Sequence, residues 1–404
     1  MKSAEISAFL SERIEAQDFP SAVYLVAEKG EIVLHDAVGL AVVEPEKIEA
    51  RLDTIYDLAS LTKVLITGLL CAKLIETGEI NLADKAAEYF EEFASEEKRE
   101  ITIGNLLTHT SGFPNWKPFY LFAAMEPKPA REQGRISKAE KLSALAHARA
   151  SALIQKLIAA EPLVNPINSK VVYSDFNFLT LGFLLEKIYG ASLDKIAETE
   201  IFAPLKLQNT FFNPPKNVRG KIAASEKGNE FEKNTCIEAG YVKPPATAGG
   251  SDLFRNYQIR GEVHDGNCYF MDGVSGHAGL FSNAEEVFKI ARQFLPATTT
   301  LLQPETCALF RTNFTEGLNE ARSIAFQLAE TPDSSAGKAL AKNSFGHLGF
   351  TGTSLWIDPP KERIFILLTN RTHNRQPPFV LLNSVRRRFH ELAAQLIEEA
   401  EARA

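Results

Sequence analysis

The sequence predicts an α+β fold: an antiparallel sheet flanked by helices, built from both chain ends, with an inserted, mostly helical domain. Three observations predict it. Residues 22–39 alternate around a Lys29-Gly30 turn, as a β-hairpin does. Residues 352–370 repeat this form, and a long helical pattern follows from residue 379 to the C-terminus. Between the two hairpins, helical patterns predominate over residues 82–242.

The elements follow in chain order. Residues 1–19 carry Glu and Asp where a secretory signal would need an apolar run, so they predict an amphipathic helix. A β-rich segment precedes the helix that begins near residue 175. We therefore expect one domain from residues 1–81 with 243–404, and a helical insertion domain from residues 82–242. The middle helices are predicted at residues 81–93, 102–109, 138–160, 176–190 and 192–202.

Composition argues against a nucleic-acid-binding function. The chain has 404 residues, of which 45% are hydrophobic and 24% charged, and its net charge is -7. Nucleic acids are bound by basic surfaces, so no nucleic-acid partner is expected. The densest basic run, Arg386 to Arg388, is predicted to be a solvated helix face.

The cysteines and the hydropathy pattern indicate the compartment. The four cysteines lie far apart without a C-x-x-C spacing, which predicts neither a zinc site nor a disulfide framework. The sequence contains no long uncharged apolar stretch, so no membrane span is predicted. The sequence as written predicts a cytoplasmic protein, or a periplasmic or secreted one if a leader was removed. No cofactor is predicted, and the pattern does not indicate an oligomeric state.

Ser60 and Lys63 stand at the head of an almost wholly apolar helical run. Residues at i and i+3 share one face of a helix, so the two side chains can meet. A buried ammonium needs partners, and a lysine beside a serine can activate the hydroxyl as a nucleophile. The same S-x-x-K spacing recurs in polar surroundings, where we expect the lysine to reach water and the motif to be structural. These copies are Ser95-Lys98, Ser192-Lys195 and Ser335-Lys338.

Two further motifs offer chemistry. Tyr173 and Asp175 lie at the junction before a helix, and a phenol beside an ammonium ionises more easily, so Tyr173 could act as a general base. His347 comes two residues before Gly349, just ahead of the first strand of the C-terminal hairpin. Glycine there would let a substrate approach the backbone of an edge strand. Taken singly, a tyrosine that caps the core and a turn histidine remain the alternatives.

The order S-x-x-K, Y-S-D and H-L-G resembles the serine β-lactamase and penicillin-binding-protein superfamily. Within it, the sequence is most similar to the branch of class C β-lactamases, D-alanyl-D-alanine carboxypeptidases and family VIII carboxylesterases. Segments around His109 and Gly112, and from His264 to Phe281, support the resemblance, which extends from about Ala22 to Leu396. It implies the β-lactamase/transpeptidase-like fold, with the active site between the sheet and the helical domain.

The resemblance implies roles for individual residues. Ser60 resembles the acylated nucleophile, Lys63 its activating partner and Tyr173 the general base. His347 occupies a position where many members have lysine. The backbone amides of Ser60 and Phe350 match the oxyanion-hole positions.

Other positions depart from the pattern or carry a less specific signal. Asp175 stands where β-lactamases of this type carry asparagine, and an ionised carboxylate cannot donate a hydrogen bond, which disfavours efficient β-lactam hydrolysis. It could instead pair with Lys63 and keep it charged. Trp116 is predicted to form a wall of the acyl pocket. No metal is predicted, because the spacing of His264, Asp265 and His277 fits no metal motif.

These residues predict a serine hydrolase that works through an acyl-enzyme on a small ester, amide or peptide. A carboxylesterase or a D-amino-acid peptidase or amidase is the leading expectation. The alternatives are a class C-type β-lactamase and a penicillin- or peptidoglycan-binding protein that acylates slowly.

Overall fold

The computed structural model describes residues 3–125, 139–242 and 254–403. The strands are β1 (Ser21–Glu28), β2 (Glu31–Val42), β3 (Ile48–Glu49), β4 (Tyr56–Asp57), β5 (Phe211–Phe212), β6 (Leu280–Ser282), β7 (Gln327–Leu328), β8 (Phe345–Leu348), β9 (Ser354–Asp358) and β10 (Arg363–Thr369). The α-helices are α1 (Ala4–Glu15), α2 (Leu69–Thr77), α3 (Ala86–Tyr89), α4 (Ile103–Thr108), α5 (Phe119–Met125), α6 (Ala139–Ala160), α7 (Asp175–Tyr189), α8 (Leu193–Ala197), α9 (Ala203–Leu205), α10 (Glu230–Glu238), α11 (Gly266–Phe270), α12 (Ala284–Ala291) and α13 (Asn383–Arg403). A wider π-helical segment, Lys63–Gly68, leads into α2.

Seven strands in the described ranges form one antiparallel sheet in the order β3-β2-β1-β10-β9-β8-β7. Strand β1 pairs with β2 on one side and with β10 on the other, so Leu25 lies opposite both His35 and Ile366. The two ends of the chain therefore meet in the middle of the sheet. This confirms the predicted α+β fold.

Helices cover both faces of this sheet. Successive side chains of a strand point to opposite faces. Val23 and Leu25 therefore join the core shared with α2 and α12, whereas Tyr24 and Val26 join the core formed with α1 and α13. Burial on both faces explains why β1 is an almost continuous apolar run.

A second, three-stranded sheet joins distant segments in the order β4-β6-β5. Beside it, α7 is buried from Phe176 to Leu185. Its Gly182 packs so closely on residue Gly276 that an added Cβ would lie 2.9 Å from the Gly276 amide nitrogen. This close approach brings the middle of α7 next to Gly276 and its neighbour His277. The predicted boundary near residue 82 stays a prediction, and the one at residue 243 lies outside the described residues.

Two local predictions are wrong. The segment before residue 171, expected to be β-rich, contains no strand from residue 161 onward. His347 precedes the hairpin's first strand, β9, as expected, and lies on a separate strand, β8. The last helix begins at Asn383 instead of near residue 379. None of the described helices is long and apolar enough to cross a membrane.

Candidate active site

Ser60 lies on a turn directly before the buried helical run. The preceding residue, Ala59, has a left-handed φ of 48°, which is unfavourable for a residue with a Cβ. Asp57 stabilises the turn, because one carboxylate oxygen accepts a hydrogen bond from the Ala59 amide at 2.9 Å. Its other oxygen accepts from the His264 amide at 2.7 Å. The strained turn is thereby fixed to a distant part of the chain.

Lys63 is the centre of the site and has no exposed surface (0%). Its Nζ donates to Ser60 Oγ at 3.1 Å and to the His277 carbonyl at 3.0 Å. It also forms an ion pair with Asp175 Oδ1 at 2.7 Å. The Tyr173 ring centroid lies 5.2 Å from the same nitrogen. The structure thus brings together the four residues that the S-x-x-K and Y-S-D motifs place far apart in sequence.

The charges of this group follow from its partners. Burial alone would lower the pKa of Lys63, but the Asp175 carboxylate and Tyr173 more than offset it, so the pKa is raised. The pKa of Tyr173 is also raised, in this case by burial itself, although Lys63 and the contact with Ser60 oppose the shift. At rest and at neutral pH, the site therefore holds an ammonium and a neutral phenol.

A buried histidine positions the segment that carries Tyr173. His109 Nδ1 accepts hydrogen bonds from the Ser174 amide at 3.1 Å and from Asn177 Nδ2 at 3.0 Å. Its ring lies 4.8 Å from the Tyr173 ring. Burial holds the pKa of His109 well below its usual value, with Arg322 and Lys63 adding to the effect, so the acceptor nitrogen stays unprotonated.

His347 reaches the other side of Tyr173, with 5.6 Å between the ring centroids. Its Nδ1 donates to the Leu348 carbonyl at 2.9 Å, and its Nε2 has no hydrogen-bond partner among the described residues. Burial holds the pKa of His347 well below its usual value, and the nearby Arg322 and Lys63 act in the same direction. His347 is therefore neutral and does not replace the positive charge of a lysine.

Gly349 and Phe350 follow β8 beside Ser60. A Cβ on Gly349 would lie 2.0 Å from Thr353 Oγ1 and 2.6 Å from the Leu58 carbonyl oxygen, so only glycine fits. Strand β7 pairs with Phe345 and Gly346 but not with the residues that follow them. The outer edge of β8 is thus open toward Ser60, as the sequence pattern predicts for an edge that a substrate could approach.

Two pockets meet at Ser60, and Tyr173 and Phe350 border both. The first, of about 350 Å³, is called the aromatic pocket. The second, of about 400 Å³, is called the arginine pocket. The aromatic pocket contains Trp116, Phe231, Glu232, His264, Asp265 and Asp175 in its lining. The arginine pocket contains Glu320, Arg322, His347, Gly349, Arg371 and Arg386.

Sequence reasoning missed Glu232 of the aromatic pocket and the charged residues of the arginine pocket. Arg386 was expected on a solvated face, but it is only 4% exposed and lies at the start of α13, against the arginine pocket. Within the same basic run, Arg388 is exposed and pairs with Glu391. The apolar neighbours Val385 and Phe389 were the available signal that this face of the helix is buried.

The other S-x-x-K copies differ from the expectation at one position. Lys195 and Lys338 are exposed, as expected. Lys98 is only 4% exposed and pairs with Glu97, so the prediction that it reaches water is wrong. Burial of a lysine alone does not distinguish Lys63; its contact with a serine hydroxyl at the junction of two pockets does.

The histidine-aspartate cluster is divided between two places. His264 Nε2 lies 2.7 Å from Glu226 Oε2, away from the other two residues. Asp265 and His277 instead form a pair at 3.0 Å. Together with Asp175 they offer three potential ligand atoms within 4.8 Å of one another. The Lys63 ammonium already contacts the Asp175 member of this group.

Comparison with known proteins identifies the family. Residues 6–384 match the family model described as Beta-lactamase. The chain belongs to the Beta-lactamase family. It is therefore a member of a family of serine hydrolases. The resemblance inferred from the three motifs is confirmed.

Relatives of this Beta-lactamase family protein carry different names. It is 30% identical over 384 residues to the "N-acetylmuramyl-L-alanine amidase" of Bacillus subtilis, a match that covers 90% of this chain and 79% of the relative. It is 28% identical over 387 residues to the "Putative D-alanyl-D-alanine carboxypeptidase" of Escherichia coli K12, covering 92% and 82%. The octameric penicillin-binding protein homologue from Pyrococcus abyssi has the same fold, with a TM-score of 0.69 at 17% identity and coverage of 98% of this chain and 78% of that one.

Proposed function

We propose that this protein hydrolyses small peptide-like amides, and esters as well, through an acyl-enzyme formed on Ser60. The observation that carries the proposal is the 3.1 Å contact between Lys63 Nζ and Ser60 Oγ at the point where the two pockets meet. A hydroxyl held by an ammonium and bordered by a phenol is placed for nucleophilic attack on a carbonyl that spans the pockets.

Proton transfer would begin from the Lys63-Tyr173 pair. The pKa of each group is raised, so the pair must lose one proton before it can accept the proton of Ser60. The resulting phenolate, stabilised by the adjacent ammonium, takes that proton as Ser60 attacks and then gives it to the leaving nitrogen or oxygen. Asp175 keeps Lys63 charged through the cycle.

The amides of Ser60 and Phe350 would bind the developing oxyanion. Among the described residues, neither amide donates to a backbone carbonyl. Both residues border both pockets, so an oxyanion between them would lie where the carbonyl must sit. Water would then attack the acyl-enzyme with Tyr173 as the base and release the acid.

The substrate class rests on two kinds of support. The names of the Bacillus subtilis and Escherichia coli relatives both refer to cleavage of amides in peptide-like compounds. Asp175 replaces the amide side chain expected in a β-lactamase of this type, and His347 is neutral, so we expect slow turnover of β-lactams. An amidase or peptidase with accompanying esterase activity fits these features best.

The test compares the wild-type protein with Ser60→Ala. We expect a fluorophosphonate to phosphonylate Ser60 with loss of fluoride, which adds the mass of the phosphonyl group, and we expect steady turnover of p-nitrophenyl butyrate and acyl-dipeptides. Ser60→Ala should lose the label and at least about a thousandfold of the turnover. Full activity in Ser60→Ala would refute the proposal. Labelling by a penicillin without turnover of any ester or amide would favour a binding protein, and rapid nitrocefin hydrolysis a β-lactamase.

A further inference from the structure

The arginine pocket carries more positive charge than the described residues around it neutralise. Arg322 forms an ion pair with Glu320 at 2.6 Å. Arg371 and Arg386 have no carboxylate partner within ion-pair distance among the described residues. Arg371 donates to the carbonyls of Phe350 and Val380, and Arg386 to the Thr353 carbonyl and the Asn383 side chain. Within residues 3–125, 139–242 and 254–403, these two guanidinium charges therefore have no counter-charge.

Two of the three arginines are also withdrawn from water, and Arg371 is half-buried. Arg322 and Arg386 are each 4% exposed. Three of their buried nitrogens, Arg322 Nε and Nη1 and Arg386 Nε, have no hydrogen-bond partner in the described structure. Buried charged donors are costly unless they are paired. Burial lowers the pKa of Arg371 to about 10, and burial together with Arg371 lowers that of Arg386 to about 9. An anion in the pocket would satisfy the donors and reverse both shifts.

The pocket adjoins the reacting atoms. The Arg322 guanidinium lies 5.6 Å from the Tyr173 ring centroid, and the Arg371 guanidinium lies 5.0 Å from the Phe350 ring centroid. Ser60, Tyr173 and Phe350 border the pocket on its inner side. An anionic group bound there would belong to the same substrate whose carbonyl lies at Ser60. A volume of about 400 Å³ is within the range of ligand pockets.

We propose that the arginine pocket binds two carboxylates of a peptide-like substrate, as carried by an acidic amino acid with a free C-terminus. Each carboxylate neutralises one of the two uncompensated guanidinium groups, and a planar guanidinium can bind a carboxylate through two parallel hydrogen bonds. The inference rests on the proposed function for the reaction at Ser60, whereas the binding can be measured without that reaction.

The experiment measures binding of three ligands to full-length Ser60→Ala by isothermal titration calorimetry. The ligands are N-acetyl-alanyl-glutamate, N-acetyl-alanyl-glutamine and N-acetyl-alanyl-glutamine amide, which carry two, one and no carboxylates, each with the last residue in D and L form. In at least one of the two series, we expect Kd to rise about tenfold for each carboxylate removed. Equal affinities in both series, or equal affinities of the first two ligands, would overturn the two-carboxylate assignment.

Arginine variants test whether this pocket causes the preference for ligands with carboxylates. In the Ser60→Ala background, Arg386→Gln and Arg371→Gln should each reduce the ratio of affinities for the glutamate and glutamine-amide ligands by about tenfold. Arg388→Gln, on the exposed face of the same helix, should leave the ratio unchanged. A full preference in both folded pocket variants would refute the assignment; if either fails to fold, the ligand series on the unaltered pocket still decides. Because Ser60→Ala performs no chemistry, loss of the hydrolase proposal would leave these results interpretable.

Discussion

The two pockets that meet at Ser60 differ in how their charges are neutralised. In the aromatic pocket, Asp265 pairs with His277 at 3.0 Å and accepts from the Cys268 amide at 2.7 Å. Glu232 accepts from the Gly266 amide and from Asn229, each at 3.1 Å. The protein thus supplies partners for both acids. In the arginine pocket it leaves two guanidinium groups without a carboxylate among the described residues.

The difference shows which half of the cleft is prepared for a charged group. Burial raises the pKa of Glu232 to about 8, and the neighbouring Asp265 adds to the shift. Burial alone would raise the pKa of Asp265 too, but His277 and the Cys268 amide hold it low. At neutral pH the aromatic pocket therefore presents a protonated Glu232 among aromatic side chains, which suits an uncharged group. A substrate with an apolar end and an anionic end would be oriented across Ser60.

The largest effect is expected where the pockets meet. Lys63→Met removes the ammonium that contacts Ser60 and stabilises ionised Tyr173, so kcat/KM should fall about a thousandfold for charged and uncharged substrates alike. Lys73→Met is the matched control, because Lys73 pairs with Glu200 outside the cleft. Stopped assays with charged and uncharged substrates would measure kcat/KM for both variants. Retention of more than a tenth of the activity in folded Lys63→Met would contradict the assigned contact.

Asp175→Asn should move the pH dependence. The carboxylate raises the pKa of both Lys63 and Tyr173, so its removal lowers both. The pair then loses its proton at lower pH, and the rising limb of kcat/KM should shift by about one unit toward acid. A pH-rate profile with p-nitrophenyl butyrate measures the shift. An unmoved limb, or one displaced toward alkali, would show that Asp175 does not control these groups.

Trp116→Ala should affect only the aromatic pocket. Loss of an apolar wall removes about 1 kcal/mol of contact with a long acyl chain, so KM for a p-nitrophenyl hexanoate should rise about fivefold relative to the acetate. The preference for dicarboxylate ligands should stay unchanged. If the acetate and the hexanoate weaken equally, Trp116 does not line the part of the pocket that holds the acyl chain.

The smallest expected effect concerns Glu232. Its pKa of about 8 means that it becomes charged between pH 7 and pH 9, beside a carboxylate that is already ionised. A second negative charge disfavours an apolar group, so wild-type KM for p-nitrophenyl hexanoate should rise about threefold across this range. Glu232→Gln should remove the rise. A variant with the same pH dependence of KM as wild type would assign the effect to another group.

Much of the fold could be predicted from the local pattern of apolar and polar residues. The two hairpins follow from alternation around the turns at Lys29-Gly30 and Pro359-Pro360, and the closing helix follows from its periodicity. Predicting that β1 and β10 share a sheet required the further inference that both ends of the chain form one sheet. The segment before residue 171 was predicted wrongly to be β-rich: it contains Pro162 and Pro166, which cannot donate to a sheet, and residues 161–170 form no strand.

The site was predictable where residues fall in motifs. Ser60, Lys63, Tyr173 and Asp175 lie together as their order implied, although their catalytic roles stay predictions. The arginines were not predictable. Arg322 and Arg371 belong to no motif, and Arg386 stands in a basic run whose other two members are not buried. Only the packing of α13 on the sheet turns one of three adjacent arginines toward the cleft.

The surroundings of Ser60 join remote parts of the chain. The Lys63 to His277 bond spans 214 positions, the Asp57 to His264 bond spans 207, and Thr351 donates to the Asp57 carbonyl across 294. Contacts of such separation form only after long loops have closed, and they slow folding. We infer that the environment of Ser60 is assembled late in folding. A nascent or proteolysed chain that ends before residue 264 would lack the His264 and His277 contacts of Asp57 and Lys63, so we expect it to leave Ser60 unlabelled by a fluorophosphonate.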